Sequence, residues 1–151
     1  MSNYVIDKLT LSIVDGFAGG GEYVSEDGSQ IHDGSPLIAL NTVDEQQALL
    51  NVGRVKERRV DAKFYFVEKL KSNFQYLQHL LGARLPAGRI GRDVVVANDD
   101  FQSAVKPIIA DIKRRAGGER AIFLLDQYAY DQVPGSLLKD ILGSPRFQCN
   151  K

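Results

Sequence analysis

Short apolar runs alternate along the chain with longer stretches in which apolar positions recur every three or four residues. Lys8–Asp15 reads KLTLSIVD, a β-branched run too short for a helix, and predicts a strand. Ala62–Glu68 (AKFYFVE), Asp93–Asn98 (DVVVAN) and Arg120–Asp126 (RAIFLLD) have the same character and predict three more. Helical patterns fill the intervals. Ser35-Pro36 opens the first, with serine expected to cap free N–H groups and proline suited to the first helical position, and it runs through LIALNTVDEQQALLN to about Gly53. The second is Leu70–Leu81, where Leu70, Phe74, Leu77 and Leu81 are spaced to share one face. The third is Phe101–Ala116, in which Pro107 predicts a kink or a late start and Gly117-Gly118 a stop. Pro134–Leu142 is the last.

Strand–helix alternation with near-continuous apolar strands predicts an α/β fold, a Rossmann-like doubly wound parallel sheet covered on both faces. Right-handed crossovers give the four runs, counted along the sequence, the order 3-2-1-4. Lys8–Asp15 is then central, and Arg120–Asp126 is an edge whose AIFLLD run predicts pairing with a second copy of the chain. A length of 151 residues fits one domain, 1–151. Nineteen basic residues cancel nineteen acidic ones, which argues against nonspecific binding of a polyanion. A single cysteine, Cys149, excludes an internal disulfide. With no signal-peptide pattern in MSNYVIDK and no apolar run of bilayer length, the expectation is a cytoplasmic protein. His32 and His79 lack metal-ligand spacing. Arg54, Lys56, Arg58, Arg59 and Lys63 read as a solvated connector, and Lys113-Arg114-Arg115 as complement to a helix dipole.

In sheets of this kind ligands bind beyond the carboxyl ends of the strands. The first run ends in Asp15, followed by Gly16, Gly19, Gly20 and Gly21, the second in Glu68, and the fourth in Asp126. Asp99 and Asp100 follow the third. One such acid is commonly a helix cap, but acids at all four strand ends, beside a glycine loop, point to a ligand site. A dinucleotide is disfavoured. Val24 stands where the last glycine of G-x-G-x-x-G belongs, the next helix waits until Ser35, and Asp15 and Glu22 repel phosphate. A nucleoside-bearing cation without phosphate fits better. S-adenosylmethionine would set its charged end near Asp15, its ribose on Glu68 and its adenine by Asp100 and Phe101.

The stretches VDGFAGGGEY, DGSPLIAL, FYFVEK, NDDF and FLLDQYAY follow one another in the order and wording of one bacterial family. The chain resembles the three-Cys-motif partner proteins, whose pattern is similar to DGFAGPG, GSPLIAL, F-x-x-EK, GDF and LDPFGY. The likeness covers Leu9 to about Leu142. It implies a class I S-adenosylmethionine-dependent methyltransferase-like domain, with C-terminal strands of the full fold missing. It also implies cofactor contacts from Asp15, Gly16, Phe17, Gly19, Gly21, Glu68, Lys69, Asp100 and Phe101. In amino-methyltransferases of nucleic acids, an acid and an aromatic at the fourth strand hold the target amine and stack on its base. Asp126 and Tyr128 would fill those catalytic roles on a nucleic acid acceptor. Gln127 and Ala129 replace the family's proline and glycine. That departure keeps open a noncatalytic member that binds cofactor or partner without turnover.

Overall fold

The computed structural model describes residues 8–115, 120–126 and 133–142. In chain order its elements are β1 (Lys8–Asp15), β2 (Glu22–Val24), β3 (Ile31–Asp33), α1 (Ser35–Leu50) and β4 (Arg59–Val67). They continue with α2 (Lys71–Arg84), β5 (Val94–Ala97), α3 (Phe101–Arg114), β6 (Ala121–Leu124) and α4 (Gly135–Leu142). Four strands form one sheet in the order β5-β4-β1-β6, every neighbouring pair parallel. The whole-chain count reads 5-4-1-6 and not 3-2-1-4. The antiparallel hairpin β2–β3 adds two strands within the Glu22–Gly34 stretch, between the glycine loop and the first helix.

Alternation along the central strands divides the core. Ile13, Phe64 and Phe66 pack against Leu37 and Leu40 of α1 and Leu77 and Leu81 of α2. Val14, Tyr65 and Val67 point the other way, onto Phe101, Val105, Ile108 and Ile112 of α3 and Leu137 and Ile141 of α4. Helices cover both faces because successive side chains of a strand alternate and both sets here are apolar. β6 is the less protected edge, with Ile122 and Leu124 exposed on the α1 side.

Several local expectations change. α1 ends at Leu50, short of Gly53. Its N-cap is Gly34, with Ser35 already inside the first turn, so the serine hydroxyl does not cap the helix. Leu70 is exposed and precedes α2, leaving Leu77 and Leu81 as that helix's buried pair. Pro107 lies inside a continuous α3, where it is exposed and only one ladder bond is forgone. Gly117 and Gly118, read as the stop of α3, fall outside the described residues.

Candidate functional site

The carboxyl ends of β1 and β4 lie side by side, with Asp15 paired in register to Phe66 and Glu68 two residues further on. Both carboxylates are buried, Asp15 at 3% and Glu68 at 8% exposure. Each is held by local donors. Asp15 Oδ1 accepts the Phe17 amide at 3.1 Å, and its Oδ2 accepts the Ser35 hydroxyl at 2.5 Å. That is the role Ser35 takes in place of capping, and it ties the first turn of α1 to the end of β1. Glu68 Oε2 accepts the Gly19 amide at 2.8 Å and Oε1 the Leu70 amide at 2.7 Å. Glu68 therefore clasps the glycine loop onto the neighbouring strand. Asn98, which sequence reading passed over, donates from Nδ2 to the carbonyls of Glu68 and Lys69 at 2.9 and 3.0 Å, fastening the end of β5 to that of β4.

The electrostatics follow from this crowding. Burial pushes the Asp15 carboxyl above its usual range, and repulsion from Asp126 and Glu68 adds to the shift. The bonds from Ser35 and Phe17 offset it in part. Two further carboxylates, those of Asp126 and Glu68, thus act on Asp15 at one edge of the sheet. A cation bound there would relieve that repulsion; an anion would deepen it.

The glycines divide by function. Gly19 has φ +63 and nothing within 4 Å of where a Cβ would sit, so its left-handed backbone borders open space. Gly21 is also left-handed, at φ +87, but a Cβ there would lie 2.8 Å from Leu77 Cδ1. Gly16 faces Phe101, whose ring a Cβ would meet at 2.8 Å. Gly16 and Gly21 are accordingly packing glycines, and of the three only Gly19 offers bare backbone. Phe101 is buried, with its ring 5.9 Å from that of half-buried Phe17. A core position explains Phe101 better than the adenine contact expected from sequence. Asp100 is the N-cap of α3: its Oδ1 accepts the Ser103 amide at 3.0 Å, and this capping holds the carboxyl below its usual range. Lys69 and Asp126 are exposed at the rim. Tyr128 lies outside the described residues. No group of side chains suited to a metal ion occurs among the described residues.

The hairpin stands beside the loop. Tyr23 stacks on His32 across the strands, ring centroids 5.2 Å apart. Arg84 of α2 bridges its base, reaching Glu22 on one strand and Asp33 on the other. The basic stretch from Arg54 to Arg59 leads into β4, whose first residue is Arg59, at the opposite end of the parallel sheet from these carboxylates.

No family model and no curated protein matches the chain. Among solved structures, a crystal structure of a Legionella pneumophila protein carrying the DUF519 family model is similar over 80% of this chain and 49% of its own, with 14% identity and a TM-score of 0.49. The chain thus spans about half the length of that protein. No helix among the described residues is long and apolar enough to cross a membrane.

Proposed function

We propose that the carboxyl-terminal edge of the sheet is the S-adenosylmethionine site of a methyltransferase-like domain of the three-Cys-motif partner type. The observation that carries this reading is the convergence of buried Asp15 and Glu68 beside the open, left-handed backbone of Gly19. The donor set fits the cofactor, because carboxylates are what an ammonium, a sulfonium and ribose hydroxyls would seek. When bound, the cofactor supplies a methyl group on a positively charged sulfur. Asp15 provides the counter-charge. Glu68 holds Gly19 in place and keeps free lone pairs for hydroxyl donors. Asp126 at the rim would accept a hydrogen bond from an incoming amine, with Tyr128 as the stacking ring; positioning of this kind is a large part of catalysis.

The finer fold assignment belongs to the same proposal. In a class I methyltransferase sheet further strands would pair beyond β6, where Ile122 and Leu124 are exposed. The acidic rim and the remote basic stretch favour a small amine acceptor over a polynucleotide, whose phosphates would find Asp15, Glu68 and Asp126 at the site against Lys69 at its rim. A noncatalytic binder is the second reading, favoured by Gln127 and Ala129 in the motif after β6.

Titration calorimetry of the purified chain against S-adenosylmethionine, S-adenosylhomocysteine and NAD tests the site. Binding of the first two without the third supports it. Binding of NAD alone, or of none, sinks it. Methyl-transfer assays on small amines and on oligonucleotides then separate enzyme from binder.

A further inference from the structure

The outer face of α1 and the two segments flanking it form a surface with unusual internal symmetry. Ile38, Thr42, Glu45 and Leu49 recur at helical spacing and are all exposed, Ile38 by 54% and Leu49 by 62%. They look away from Leu37 and Leu40, which are buried on the sheet. An apolar residue thus marks each end of an outward stripe. Before α1 stands the hairpin, with Tyr23, Val24 and Ile31 more than half exposed. Between residues 22 and 34 it carries Glu22, Glu26, Asp27 and Asp33, and no lysine or arginine. After α1 comes the loop of residues 51–58, with Val52 and Val55 exposed. Here Arg54, Lys56, Arg58 and adjacent Arg59 outnumber the single acid Glu57. The chain's zero net charge conceals this separation along one helix.

Both flanks are tethered. Asn41 Nδ2 donates to Asp33 at 3.3 Å, and Arg84 bridges the hairpin base. Gln47 Nε2 donates to the Arg58 carbonyl at 2.7 Å, and Asn51 Oδ1 accepts the Arg58 amide at 2.7 Å. Opposite charges are therefore held at fixed positions near the two ends of a 16-residue helix, about 24 Å apart at 1.5 Å per residue.

We infer that this face is a self-complementary docking surface for a second copy of the chain, the two α1 helices packing antiparallel. A two-fold axis midway between Thr42 and Glu45 sets Ile38 against Leu49 of the partner subunit, and the reverse. The same operation lays each acidic hairpin toward the other copy's basic loop. An isologous contact requires a single patch that carries both halves of every pairing, and this patch does. A foreign partner would need only one half. The edge strand β6 also exposes apolar side chains, Ile122 and Leu124, and is the competing contact for a dimer.

Sedimentation equilibrium of the full chain across a range of concentrations tests the surface. A reversible dimer that weakens with added salt is expected, since opposite charges steer and hold it. Ile38→Asp should raise the dimer Kd by about 100-fold, because symmetry removes the contact twice, while circular dichroism stays unchanged. The register is read by cross-linking in a Cys149→Ser background. Ile38→Cys mixed with Leu49→Cys should form a disulfide under mild oxidation. Either variant alone should not, since like positions lie about 16 Å apart along the pair. A chain monomeric at every concentration overturns the inference. So does a dimer indifferent to Ile38→Asp, or one cross-linked only through Ile122→Cys on β6.

Discussion

Asp15→Asn separates a ligand-binding role from a structural one. The amide is isosteric with the carboxylate. Its Oδ1 can still accept the Phe17 amide, and its Nδ2 can donate to the Ser35 oxygen after the hydroxyl rotates. What disappears is a charge in a site 3% exposed, whose carboxyl is raised by burial and by neighbouring acids. The sign follows from that shift. A carboxyl whose folded pKa lies above its unfolded value near 3.9 contributes stability below that value, and the contribution is lost as pH rises through the folded pKa. Above the unfolded value the raised pKa therefore counts against the unliganded fold, and the amide removes that cost. Asp15→Asn is therefore expected to leave unfolding stability unchanged or raised by up to about 1 kcal/mol, since the hydrogen bonds it weakens offset part of the gain. Cofactor binding should move the other way. A hydrogen bond to a charged group is worth about 1.5–3 kcal/mol, so Kd should rise about 10- to 150-fold. Wild-type affinity should also climb with pH as Asp15 ionises, and the variant's should not. Urea unfolding and calorimetry on the same samples read both quantities. A variant destabilised by more than about 2 kcal/mol with unchanged cofactor affinity would show that the carboxylate serves the scaffold, and the proposed site would fall.

The two left-handed glycines of the loop after β1 should part company. Gly19→Ala, with open space around it, should cost about 1–2 kcal/mol of stability yet weaken cofactor binding strongly. Gly21→Ala, driven into Leu77 and Leu80, should cost about 2–5 kcal/mol by urea unfolding; equal losses would contradict the division. Asp111 is paired with Lys63 at 2.8 Å and with the Tyr65 hydroxyl at 2.6 Å, and Lys63 foremost holds its carboxyl well below the usual range. Its contribution is present above the unfolded pKa near 3.9 and is lost as pH falls, so Asp111→Asn should lower stability at neutral pH and flatten the acid limb, as thermal melts across pH would record. For an active enzyme, Asp126→Ala and Tyr128→Ala should each cut turnover and leave cofactor affinity nearly intact, while Tyr128→Phe should be close to silent. A cofactor Kd that moves with turnover in Asp126→Ala would place that residue on the cofactor and not on the acceptor.

How much of this was legible depends on the length of the signal. β1 announces itself along its eight residues, and β4 does so from Ala62 on, its opening Arg59-Val60-Asp61 being too polar to register as strand. So do the acids at their ends, because a carboxylate closing an apolar run is visible without coordinates. The hairpin was not legible: β2 and β3 are three residues each, EYV and IHD, too short and too polar for periodicity to register. Leu70 fitted a helical stripe, but the helix begins one residue later and leaves it exposed. Ser35 and Asp100 show the limits of local chemistry. Both look like helix caps, yet only Asp100 acts as one, since Asp15, twenty residues earlier, takes the Ser35 hydroxyl. Phe101 could not be told from a ligand-facing aromatic, because its burial depends on Gly16 lying beneath it.

The parallel order of the sheet also bears on how the chain is made. β1 is synthesised first, but its register partners are Arg59 and its successors on one side and Ala121 onward on the other. At ribosomal rates of about 5–20 residues per second, roughly 5–20 s pass between the emergence of β1 and of β6. Through that interval the most apolar stretch of the central strand has no partner on one side, and none at all until β4 appears. Enclosure of β1 on both sides waits on β6, so the yield in the cell should depend on translation speed and on chaperones that shelter Leu9–Val14.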